Sequence, residues 1–110
     1  MSSNKKIIRQ QFRDSVFKRD EYKCRACGLK SSPENAEVDL DAHHIKNRED
    51  IVNQGYCKEN GISLCKDSCH LKAEEFYSTG IAHPGYSVDD LYNLIGSNLE
   101  KAIEASKKIK

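Results

Sequence analysis

An α+β fold class is predicted for this 110-residue chain by three observations: helical periodicity at both ends, two short strand-like runs between them, and two cysteine pairs bracketing those runs. The length suits one domain, 1–110, able to build a core but not a large one. Hydrophobic residues make up 37% and charged residues 32%, so the core is thin and a covalent or metal staple would help it.

The first element is a basic helix over 1–22. Ile8, Phe12 and Val16 recur at fours with no Gly or Pro between them. Lys5, Arg9 and Arg13 recur at the same interval on a neighbouring stripe. A solvated face is one reading of that stripe, and phosphate contact is the other. Residues 1–30 carry nine Lys/Arg against three acids, a net of +6, and the next twenty carry two bases against six acids, a net of −4. A basic arm feeding an acidic centre suggests a polyanion held at one end and a cation at the other.

"SSPEN" signals a turn, and "AEVDLDAHHI" follows as a strand in which Val38, Leu40 and Ala42 alternate with Asp39, Asp41 and His43. "KNREDIVNQGYCKEN" reads as a polar loop and "GISLC" as a second strand. "SCHLKAEEFY" then starts a helix, with Ser68 as its cap and Leu71 and Phe76 turned inward. "STGIAHPGY" breaks that helix; its His83 matches no motif and reads as a loop residue. A final helix is expected over 87–110, opened by Ser87 with Asp90 three residues on, an Asp version of the capping box. Val88, Leu91, Leu94/Ile95, Leu99 and Ala102/Ile103 keep the helical period through Gly96, and the lysine-rich end suits the helix dipole.

No apolar run is long enough to span a bilayer, and "MSSNKKIIRQQF" lacks the apolar block of a signal peptide, so an intracellular, cytoplasmic protein is expected. Five cysteines, an odd number, fit a disulfide framework badly in that compartment. Cys24 and Cys27 form a C-x-x-C knuckle followed by Gly28; Cys65 and Cys69 form "CKDSC". Two thiolate pairs suit a closed tetrahedral zinc site, which ties residue 24 to residue 69 across a long loop. A redox role for the first pair and a variant haem attachment at "CKDSCH" are the alternatives. Cys57 is left over as a loop thiol.

The doublet His43-His44 lies on the first strand, between the cysteine pairs. "AHHI", "NGISLC" and "CHLKAE" in that order, with the lead-in "VFKRDEYKCRACG", resemble the HNH (His-Asn-His) endonuclease family over about residues 12–76. The resemblance implies a zinc-stapled ββα-metal (His-Me finger) core over 24–76, flanked by N- and C-terminal helices, and a DNA endonuclease that hydrolyses phosphodiesters. Such hydrolysis needs a base for water and a cation for the charge developing on the phosphate. By the family pattern His43 is a metal ligand, His44 the general base and His70 the second ligand. Glu74, four residues on, occupies a position where some members carry a further ligand. Asn60 matches the middle letter, its amide pinning the loop and holding His44. Asp41, on the same strand face as His43, is expected to orient it or join the ligands.

The cofactors implied are structural Zn²⁺ and catalytic Mg²⁺ or Mn²⁺, with Ni²⁺ also suited to imidazoles. The partner implied is duplex DNA, gripped by Lys5, Arg9 and Arg13; a homodimer would cut both strands. Two departures stand out. Lys46-Asn47 follows "HHI" where the family often has Pro, and the extra residue in "CKDSC" bears on the register of His70. The other classes open to the sequence are a non-catalytic zinc-binding nucleic-acid module and an interaction domain docking through its final helix.

Overall fold

In the computed structural model, which describes residues 2–109, the N-terminal helix is α1 (Ser2–Arg19). Phe12 and Val16 of the predicted stripe are buried and Ile8 is half-buried. Two left-handed residues, Glu21 and Tyr22 (φ 57° and 59°), turn the chain after the helix, and the Tyr22 amide donates to the Phe17 carbonyl at 2.9 Å. Asp20, wholly buried, sits at this corner. It accepts Nε and Nη2 of Arg19, each at 2.8 Å, and the Ser63 amide at 2.8 Å. Arg19 also donates to the carbonyls of Lys58 and Gly61. One buried carboxylate and its guanidinium thus knit the end of the helix to the chain before and within the second strand, which satisfies the charge by pairing and hydrogen bonding.

The strand after the turn starts later than expected. Ala36–Asp39 forms a single helical turn, α2, because the Asn35 carbonyl accepts the amides of Val38 and Asp39 at 2.9 and 3.0 Å. Val38, expected on the strand, lies in this turn and is 70% exposed. Strand β1 covers only Leu40–His44 and pairs antiparallel with β2 (Gly61–Cys65), Leu40 opposite Cys65 and His44 opposite Gly61. All five residues of β2 are buried, as a run covered on both faces must be. Gly61 has to be glycine, since a Cβ there would lie 2.5 Å from Val16 Cγ2 and 2.7 Å from the Phe12 ring.

The expected polar loop is ordered: Arg48–Asp50 and Lys58–Asn60 are 3-10 turns, and Val52–Gly55 between them is kinked. Asn53, Gln54 and Gly55 run consecutively through left-handed φ (52°, 62°, 63°). The Asn53 amide group holds this strained stretch in place by donating to the Ser106 carbonyl at 2.9 Å.

Helix α3 (Cys69–Thr79) follows β2 and stops at Gly80, φ 75°, whose amide donates to the Phe76 carbonyl. Its buried residues are Cys69 and Ala73, four apart; Leu71 is 58% exposed and Phe76 only half-buried, so the inward face differs from the one expected. Ser68 makes no side-chain cap, and the Cys69 amide bonds to Cys65 Sγ instead at 3.3 Å.

The single final helix expected over 87–110 is two helices, α4 (Val88–Leu94) and α5 (Leu99–Lys107). The Ser87–Asp90 capping box is present. The break falls where Gly96 takes φ 66° and Asn98 accepts the Lys101 amide at 2.8 Å, starting a new helix. The apolar period survives the break because both helices bury residues in one core, Leu91 and Tyr92 from α4 and Ala102 from α5. Among the described residues no helix is long and apolar enough to cross a membrane.

Candidate metal centres

Two groups of metal-ligating side chains form among the described residues, Cys24/Cys27/Cys65/Cys69 and His43/His70/Glu74, each with its ligand atoms within 4.8 Å of one another. The first is built by two turns that present sulfur alike. In the knuckle the Cys27 amide donates to Cys24 Sγ at 3.4 Å, and Gly28, φ 84°, returns the chain so that the Cys24 amide reaches the Leu29 carbonyl. In the second pair the Cys69 amide donates to Cys65 Sγ, so the extra residue of "CKDSC" is absorbed in the turn that precedes α3. The Arg25 amide bonds to the Ser63 carbonyl at 2.9 Å and fixes the knuckle against β2.

Cys27 and Cys65 sulfurs are 3.8 Å apart, the edge of a tetrahedron with metal–sulfur bonds of about 2.3 Å. All five cysteines are free of disulfides. Burial pushes the Cys69 thiol up to about 12, whereas at Cys24 burial is outweighed by backbone donors at Cys27, Cys65 and Ala26, bringing that thiol down to about 7. The donor set, spacing and burial are compatible with a structural metal such as zinc. Cys57 lies apart, its Sγ 3.4 Å from Ser106 Oγ under α5.

The histidine doublet divides between two helices. Alternation along β1 sends His43 towards α3, where its ring lies 5.3 Å from that of His70 and 6.0 Å from Tyr77. His44 goes towards α1, stacked on Phe12 with centroids 4.4 Å apart and edge-on to Tyr56 at 4.7 Å. Both nevertheless line one cleft of about 420 Å³ with Asp41, His70, Glu74 and Arg48. Residues from both strand faces reach it because β1 pairs with a neighbour on one edge only.

His70 Nε2 is 3.3 Å from Glu74 Oε1, the i,i+4 pair on α3. Asp41, expected to orient His43, instead places its carboxylate 2.8 Å from His70 Nδ1, outside the group of three ligands. That hydrogen bond, with Glu74 adding to it against burial, raises the His70 pKa and lowers that of Asp41. Burial drives His43 down to about 3, with the charge of His70 next in effect. His44 falls to about 4, first from burial and then from Arg48. Both members of the doublet are therefore neutral at pH 7. His44 Nε2 is shut off from solvent and has no hydrogen-bond partner.

Asn60 is wholly buried and fully used. Its Oδ1 accepts the Lys46 amide at 2.9 Å and the Tyr92 hydroxyl at 2.7 Å, and its Nδ2 donates to the carbonyls of Lys46 and Gly55. It thereby clamps the chain two residues beyond His44. Tyr77 adds a second clamp, its hydroxyl 2.7 Å from the Ile45 carbonyl and 3.0 Å from that of His44.

Of the basic stripe, Lys5 and Arg9 are exposed and Arg13 half-buried. Arg9 Nε donates to Tyr56 Oη at 3.3 Å, and Arg13 Nη2 to Gln10 at 2.9 Å. Sequence reasoning passed over Tyr56, Tyr77, Tyr92 and Arg48, whose partners are distant in the chain or lie in a loop that carries no periodic signal. No family model, curated protein or solved structure matches the chain.

Proposed function

We propose that the chain is a metal-dependent DNA endonuclease of the HNH type, in which a zinc ion held by Cys24, Cys27, Cys65 and Cys69 braces the site. The observation that carries this reading is the convergence of His43, His70 and Glu74 beside a neutral, clamped His44. The donor set fits a divalent cation. His70 Nε2 and Glu74 Oε1 face each other across a single proton's space, and neutral His43 offers a third ligand without needing to lose a proton. Two imidazoles and one carboxylate suit Mn²⁺, Ni²⁺ and Zn²⁺ on donor grounds, and Mg²⁺ through the carboxylate. When bound, such an ion neutralises charge on the phosphate and leaving oxygen.

The chain's own residues supply the remainder. His44 Nδ1 takes a proton from water, the ring's existing hydrogen staying on buried Nε2. Asn60 holds the backbone at Lys46 and Tyr77 holds it at His44 and Ile45, and stacking on Phe12 fixes the His44 ring. Asp41 orients His70 as an outer partner. Lys5, Arg9 and Arg13 supply phosphate contacts, so binding weakens steeply with salt.

A plasmid-nicking assay with Mg²⁺ or Mn²⁺ tests the reading: the native chain relaxes supercoiled plasmid and His44→Ala does not. Equal cleavage by both rejects the base assignment. The second reading is a non-catalytic zinc-binding nucleic-acid module, favoured by the cysteine cluster alone. It predicts duplex binding with no nicking under any divalent ion.

A further inference from the structure

Two guanidiniums that share one phenol oxygen mark the other side of His44. Arg9 Nε, from α1, and Arg48 Nη1, from the turn after β1, donate to the same Tyr56 hydroxyl at 3.3 and 3.0 Å. Among the described residues neither is ion-paired. A phenol oxygen is a poor counterpart for two cations, whose fork geometry matches a carboxylate or phosphate. Arg13 lines the same cleft, with its Nε buried and without a hydrogen-bond partner. It is ion-paired only at length, its Nε 3.9 Å from Glu37 Oε1.

This cleft, about 280 Å³, shares Asp41, Ala42, His44 and Arg48 with the cleft at the His43–His70–Glu74 cluster, so the two form one groove. Asp41, the one acid lining the cationic side, is already engaged by His70. The cationic side therefore holds three arginines and no free anion among the described residues.

We propose that Arg9, Arg13 and Arg48 form a seat for a nucleic-acid backbone phosphate next to the one that faces the metal cluster, with the His44 ring between the two. This rests on the endonuclease reading and adds to it where the strand runs: from the metal cluster, over His44, towards α1. Of the three arginines Arg48 lines both sides, and Tyr56 is the resting partner that keeps its guanidinium and that of Arg9 pointing into the groove.

The test measures duplex DNA affinity across a salt series, on zinc-loaded His44→Ala protein without added divalent ion. Arg9→Gln and Arg48→Gln should each lower the slope of log affinity against log salt by about 0.9, and the double variant by about 1.8. Arg48→Lys, which keeps the charge, should restore most of the slope. Lys18→Gln, on a different face of α1 beside Asp14 and Glu37, should leave it unchanged. An unchanged slope in Arg48→Gln overturns the seat, as does an equal drop in Lys18→Gln, which would mean diffuse attraction. Native protein that nicks plasmid while these slopes stay flat removes the seat and keeps the nuclease. The expected slopes without nicking do the reverse.

Discussion

The Tyr92 hydroxyl donates a 2.7 Å hydrogen bond to Asn60 Oδ1, joining α4 to the residue that clamps the backbone beyond His44. Both side chains are buried, so the bond is made out of water's reach. Tyr92→Phe removes one of four contacts to the amide and should cost about 1 kcal/mol. Asn60→Ala leaves the Lys46 amide, the Tyr92 hydroxyl and the carbonyls of Lys46 and Gly55 unpaired and should cost at least about 4 kcal/mol at about 1–3 per buried group. Urea denaturation compares the two; a smaller loss for Asn60→Ala would show that the clamp is not structural.

Zinc content should follow the cysteine cluster and ignore the fifth thiol. Elemental analysis of purified protein should find one tightly held zinc per chain, retained in Cys57→Ser and lost in Cys24→Ser or Cys65→Ser. Prolonged chelation should unfold the chain, because the apparent binding energy of structural zinc, about 10–16 kcal/mol in small peptides, is folding energy. A chelated chain that keeps its melting transition contradicts a structural role.

Asp20 should be among the most sensitive positions in the protein. It is wholly buried with Arg19 folded around it and the Ser63 amide on its oxygen. Asp20→Ala strands a partly buried guanidinium and an amide, and should cost about 3–5 kcal/mol. Glu21→Ala, on the neighbouring exposed residue, should stay within about 0.5 kcal/mol. Similar melting temperatures for the two variants would refute the network.

Gly55 and Gly96 both have left-handed φ but different surroundings. A Cβ at Gly55 would lie 2.4 Å from Asn60 Nδ2 and 2.7 Å from Ile51 Cγ2, whereas one at Gly96 meets nothing within 4 Å. Gly96→Ala should cost about 1–2 kcal/mol from backbone strain alone. Gly55→Ala adds about 1–3 kcal/mol of overpacking and disturbs the Asn60 clamp. It should therefore lose nicking as well as stability, and full activity there would break the link between the loop and His44.

What the sequence made legible was what short spacing encodes. The two cysteine pairs, the Ser87–Asp90 box and the inward stripe of α1 are all written within a few residues, and the structure has each. Of the four ligand candidates His43, His70 and Glu74 lie within 4.8 Å of one another, and Asp41 falls outside them. The start of β1 was hidden because alternation across four residues does not distinguish a strand from the helical turn that the Asn35 carbonyl closes. The break in the final helix was hidden because the apolar period continues across Gly96. Tyr92 on Asn60, Tyr77 on the end of β1 and Arg48 with Arg9 on Tyr56 depend largely on pairings across more than thirty residues, which only the fold creates.

The central claim is that His43, His70 and Glu74 jointly hold a divalent ion distinct from the thiolate-bound zinc. Anomalous diffraction from crystals soaked in Mn²⁺, recorded on both sides of the manganese edge, tests it directly. The account predicts a manganese peak within bonding distance, about 2.2 Å, of His43, His70 and Glu74 together, absent in His70→Ala crystals. A zinc signal at the four cysteines with no manganese beside those three side chains would contradict it.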